Sequence, residues 1–181
     1  AVLWPLLEAT TDPSHPEADS VRDDGLRLLR AALGAGDGVP ESAAALLPRA
    51  VALYARATQQ AYSNGAQLET ALDLANRGLS CGAEGAVRAQ LLVAKAQVCQ
   101  WLGRLGDAVE AAEQAAVIAQ QGSDLWGEAQ RLAAGALIEL GRSSDGDTRA
   151  AWALRPEYGA NLSLPIRALL LATRVRGLED L

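Results

Sequence analysis

The chain has 181 residues, a net charge of −6 and a sequence pI near 4.8, with 38 alanines and 30 leucines but no phenylalanine or methionine. That charge argues against a binder of the phosphate backbone, which needs clustered lysine and arginine, and no alternating apolar pattern supports a sheet. What remains is an all-α fold with an alanine-rich core. Such a core demands closely approaching antiparallel helices, because each alanine removes little apolar surface from water and only near contact excludes voids.

The apolar opening Ala1–Leu7 is interrupted by Pro5 and lacks a basic start, so it does not read as a secretion leader. No stretch approaches the ~18 apolar residues of a membrane helix, and a cytoplasmic location is expected. A start without methionine suggests a piece of a larger protein. From Thr10 to Ser20 the chain is polar, with Pro13 and Pro16 flanking His15 in a predicted loop. Ser20 then caps a helix whose first turn holds Asp23 and Asp24, and Gly34–Gly38 breaks it. Another helix starts near Ser42, restarts at Pro48 and runs to Tyr62, where Asn64-Gly65 stops it.

The next predicted helix spans Gln67 to Leu79, with Leu68, Ala71, Leu72, Ala75 and Leu79 forming one apolar stripe before Gly82 and Gly85. A longer helix follows from Ala86 to Leu102 and ends at Gly103. Asp107 is then expected to cap a helix to Gln120, whose Ala108, Ala111, Ala112, Ala115 and Ala119 make a smooth, narrow face. Ser123 or Asp124 opens a helix to Leu140, closed by Gly141. The spacing predicts a shorter helix over Asp147–Leu154, a loop over Pro156–Leu162, and a last helix from Ser163-Leu164-Pro165 to about Arg176.

Gly65, Gly103, Gly141 and Gly177 recur at steps of 38, 38 and 36, the first three each closing an apolar helical run. Such a period marks stacked helical hairpins. Residues 88–121 resemble a tetratricopeptide repeat: Ala96 is the small residue midway along the first helix, Gly103 the turn glycine, Leu105 the bulky residue after it, and Ala108 and Ala115 the small positions of the second helix. Lys95, Cys99 and the missing proline after Gln121 depart from that pattern. A second copy, offset by 37, aligns Ala71, Leu72, Ala75 and Leu79 with Ala108, Val109, Ala112 and Ala116, and a third begins near Gly127 with a degenerate second helix. The long unit is similar to the loose repeats in the sensor regions of large actinobacterial LuxR-type ATPase regulators. The resemblance implies a right-handed superhelix of antiparallel helix pairs over residues 46–155, preceded by N-terminal helices and a proline-rich loop (1–45) and followed by a capping or truncated-repeat helix (156–181).

In such repeats the first helices line a concave groove. Carried to this sequence, that gives Gln90, Val93, Gln97, Gln100 and Trp101 in the middle unit, and Glu128, Arg131, Ile138 and Glu139 in the next. The preceding unit supplies Arg56, Gln60, Ser63 and Asn64. An amide-lined groove with one aromatic and two arginines suits an extended peptide, although the same residues also describe a solvated helix surface. The lysine and asparagine set that clamps a C-terminal carboxylate in some repeat proteins is missing, since Lys95 is the sole lysine and falls off the groove.

No catalytic residue, metal ligand or cofactor site is assigned. His15 is the only histidine, Asp23-Asp24 and Asp145/Asp147 are explained by helix starts, and Gly34–Gly38 lacks the lysine and hydroxyl residue of a phosphate loop. Cys81 and Cys99 read as reduced core thiols, and Trp4, Trp126 and Trp152 as packing residues. The expected role is therefore a non-catalytic protein-interaction or sensory module that binds a protein or peptide partner, with no nucleic acid and no membrane. The alternative is a helical small-molecule sensor of a transcriptional regulator. Self-association through the last helix is a further expectation, resting on Ile166, Leu169, Leu170, Leu171, Val175 and Leu178.

Overall fold

The computed structural model describes residues 68–80 and 83–179, which form seven helices and no strand. They are α1 (Leu68–Ser80), α2 (Gly85–Trp101), α3 (Leu105–Ile118), α4 (Asp124–Glu139), α5 (Ser143–Ala153), the single turn α6 (Pro156–Gly159) and α7 (Leu164–Glu179). The expectations placed on residues 1–67, including Arg56, Gln60, Ser63, Asn64 and the Gly65 stop, lie outside the described residues, as does Cys81.

Gly103 and Gly141 end α2 and α4 in the same way. Both take positive φ, +71° and +76°, a conformation in which a Cβ would crowd the following carbonyl. Around Gly103, the Arg104 N–H donates to the Cys99 carbonyl and the Gly103 N–H to that of Gln100. Around Gly141, Arg142 donates to Leu137 and Gly141 to Ile138. These paired bonds are the Schellman closure, which satisfies carbonyls that the helix end would otherwise orphan. The turn then runs straight into the next helix, so α3 begins at Leu105, with Asp107 inside its first turn instead of at its cap. Likewise α5 begins at Ser143, earlier than the expected Asp147, and Pro156–Gly159 is a helical turn within the expected loop. Ser123 does cap α4: its hydroxyl accepts from the Trp126 N–H at 3.2 Å. Gly177 is no stop. It is buried inside α7, where a Cβ would lie 3.0 Å from Ile138 Cδ1.

Each long helix packs on its successor, α1 on α2, α2 on α3, α3 on α4, α4 on α5 and α5 on α7. Beyond this sequence, α2 also touches α4, and α4 touches α7. The core is correspondingly divided. Ala75, Ala83 and Leu91 join α1 to α2; Leu92, Ala96, Ala111, Ala112, Ala115, Ala129, Leu132 and Ala133 join α2, α3 and α4. A third cluster around Trp126 gathers Ala150, Ala153, Leu162 and Leu170. The alanine face of α3 is thus buried as its narrowness requires. Trp126, Trp152 and Tyr158 meet at ring-centroid distances of 5.1–5.3 Å, tilted or edge-on, so both described packing tryptophans belong to this layer.

Polar contacts repeat the sequence period. Gln100–Glu139, Glu139–Arg176, Asp124–Ser163 and Glu113–Arg149 pair residues 39, 37, 39 and 36 apart, each joining one helix pair to the next. Arg174 Nε donates to Asp147 Oδ1 at 2.7 Å, fastening α7 to α5, and this bond raises the guanidinium above its already high ordinary pKa. On α7, Leu170 is buried and Ile166 half-buried, contrary to the expected stripe. Leu164, Leu171, Val175 and Leu178 stay exposed along one face, and Leu169 is exposed on another side of the helix. Among the described residues no helix is long and apolar enough to cross a membrane.

Candidate functional site

Because α2, α4 and α7 lie side by side, they border an open cleft of about 380 Å³ lined by Gln97, Gln100, Trp101, Arg131, Glu139 and Arg176. Gly135 of α4 lies against two of these side chains: a Cβ there would lie 3.2 Å from both Gln100 Nε2 and Arg176 Nη2. The missing side chain lets these two groups reach across α4.

They converge on Glu139, the last residue of α4. A carboxylate at a helix C-terminus faces the negative end of the helix dipole and needs compensation. Gln100 Nε2 donates to Glu139 Oε1 at 2.6 Å, and Arg176 Nη2 donates to the same oxygen at 3.4 Å. Side chains from three helices therefore meet at one carboxylate, in a setting half open to water where such an ion pair contributes under ~1 kcal/mol to stability. The junction keeps acceptor capacity: Glu139 has lone pairs beyond those these two donors use, and Gln100 retains its amide oxygen.

Arg131 lies deeper, its Nε and Nη2 donating to the two Glu128 carboxylate oxygens at 2.8 and 2.6 Å. This fork holds the guanidinium in the cleft wall and balances its charge. Trp101 stands at the rim with 69% of its surface exposed, an apolar ring beside a polar floor.

Of the expected groove residues, Gln97, Gln100, Trp101, Arg131 and Glu139 line the cleft, and Glu128 touches it through Arg131. Gln90 is exposed on α2 but outside the cleft lining, and Val93 is partly buried against the α2–α3–α4 core. Ile138 is corrected. It is buried, pressed between Gly146 and Gly177, because one residue along a helix turns the side chain by about 100° and carries position 138 from the groove to the α5 and α7 interface. Arg176 and Gly135 were not expected. Arg176 lies on the helix expected to be a cap or a truncated repeat, and its place depends on how α7 stacks.

Cys99 is buried beside Leu72, Val98, Ala108 and Ala136, and burial pushes its thiol above the ordinary range, with Asp107 adding to the effect. It is a packing residue. Among the described residues no three histidine, cysteine, aspartate or glutamate side chains are grouped to hold a metal ion. No family model, curated protein or solved structure matches the chain.

Proposed function

We propose that the chain is a non-catalytic recognition module. In this reading α2–α3 and α4–α5 are successive hairpins of a tetratricopeptide-like right-handed superhelix, and α7 opens the next unit. The cleft over Gly135 binds an extended segment of a partner protein. The observation that carries the reading is the junction of Gln100, Glu139 and Arg176 from three helices beside the exposed Trp101 ring, which offers backbone-directed hydrogen bonds and one apolar anchor together. The divided core and the contacts at one repeat's spacing support the stacking. The balanced charges, Arg131 with Glu128 and Arg176 with Glu139, favour a segment of low net charge. By its likeness to the loose repeats of large regulators, the module would serve the sensory region of a cytoplasmic regulator.

Panning a phage-displayed library of random peptides on the chain, followed by calorimetry with the synthesised winners, tests this. Peptides of micromolar affinity are expected, with Trp101→Ala weakening them at least ~10-fold, as removal of a central anchor does. Winners that bind Trp101→Ala and Arg176→Ala as tightly as the parent chain would refute the site.

A further inference from the structure

A second cleft, of about 580 Å³, opens on the opposite helix layer, between α3 and α5 above α4. Val109, Leu137 and Trp152 give it apolar walls, and Glu113 and Arg149 face each other across it at 2.8 Å. Two of its lining residues each carry a side-chain atom that is closed to solvent and without a hydrogen-bond partner: Gln130 Oε1, on a residue only 4% exposed, and Arg149 Nη1. Both are placed by the fold. Gln130 lies on α4 among buried neighbours at Ala129, Leu132 and Ala133, and Arg149 is held toward α3 by its bond to Glu113.

An unsatisfied buried carbonyl or N–H carries its full desolvation cost, so native proteins keep such groups paired with protein, water or ligand. Here the two orphans are complementary in kind: one accepts, the other donates. The charges around them cancel, Arg149 against Glu113 and Arg142 against Asp145 at 2.7 Å, so the cleft selects no net charge. The apolar walls and the Trp152 ring suit a compact, partly apolar body, and the volume falls in the range of small-molecule sites.

We propose that this cleft binds a small, electrically neutral molecule bearing an amide, whose N–H donates to Gln130 Oε1 and whose carbonyl accepts from Arg149 Nη1 once these two side chains turn to face it. A primary carboxamide or a ring lactam carries both functions on one carbon, whereas a carboxylate lacks the donor and a protonated amine the acceptor. The site is separate from the groove of the proposed function and stands without it.

Thermal-shift titration and protein-observed NMR of the whole chain with nicotinamide and with uracil, against nicotinate as the acid control, test the assignment. Both amides should raise the melting temperature saturably and move the resonances of Gln130, Arg149 and Trp152, and nicotinate should do neither. Gln130→Leu removes the orphan acceptor while filling its space. That variant should melt above the parent chain without ligand, since the unpaired oxygen is gone, and should lose the amide response. A Gln130→Leu chain that is more stable while neither amide shifts the parent protein would identify a water-filled structural cleft and overturn the proposal. An equal response to nicotinate would overturn the assigned chemistry.

Discussion

Two glycines of the same pair of helices should respond in opposite directions to replacement by alanine. In the interior of α4, Gly135→Ala gains about 1 kcal/mol of helix propensity. The added methyl meets only Gln100 Nε2 and Arg176 Nη2, each at 3.2 Å and each the far end of a flexible side chain that can yield a few tenths of an ångström. A net gain near 1 kcal/mol raises the melting temperature of a chain this size by about 2–4 °C. In α5, Gly146→Ala carries the same propensity gain, but its Cβ would lie 2.6 Å from Ile138 Cγ1 and 2.7 Å from the Ala134 backbone carbonyl. Backbone cannot step aside, so α4 and α5 must part. Overpacking of this kind reaches about 3 kcal/mol, leaving a net loss near 2 kcal/mol and a melting temperature about 4–8 °C lower. Urea and thermal unfolding followed by far-UV circular dichroism, on both variants and the parent chain, measure the difference. If the two variants shift together, the helix separations described above are wrong. Gly135→Ala should also weaken any groove peptide, because it displaces Gln100 and Arg176 while the fold holds.

Trp126→Ala removes a fully buried ring from the layer shared with Trp152 and Tyr158, and should cost about 3–5 kcal/mol in the same unfolding assay. Cys99 ionises less readily folded than unfolded, so its contribution is complete below the unfolded pKa and is lost as pH rises through the raised folded one. In a Cys81→Ser background, stability should therefore fall above about pH 8.5, and replacing Cys99 with alanine should abolish that slope. An acidic C-terminal peptide should give no saturable heat in calorimetry, since Arg131 is already engaged by Glu128 and no lysine lines the cleft. Micromolar binding lost on Arg56→Ala or Arg131→Ala would contradict this.

Much of this was legible in the sequence because a few residues carry strong local rules. Gly103 and Gly141 announce the turns, as only glycine accepts positive φ there cheaply, and the alanines of α3 announce a close interface. With the turns in place, the resemblance to a repeat implies that Gln97, Gln100, Trp101 and Arg131 face one groove, and all four line the cleft. Other features depend on neighbours that local pattern does not reveal. The expected start at Asp147 leaves out Gly146, which lies buried inside α5 against Ile138, and the helix begins four residues earlier than expected. Ile138 looked like groove because a one-residue error in rotation exchanges faces. Arg176 joins the cleft only through the stacking of α7 on α4, a contact between residues 37 apart.

The central claim is that successive helix pairs lie side by side, so that α2, α4 and α7 share one face. Nuclear Overhauser contacts in the isotope-labelled chain test it most directly. The account requires contacts from the Gln100 side-chain amide to Glu139, from the Arg176 guanidinium side chain to Gly135, and from Ile138 to Gly177, with α2 reaching α7 only across α4. A contact map in which α2 packs directly on α5 and α7 around one shared centre would contradict it, and the groove would go with it.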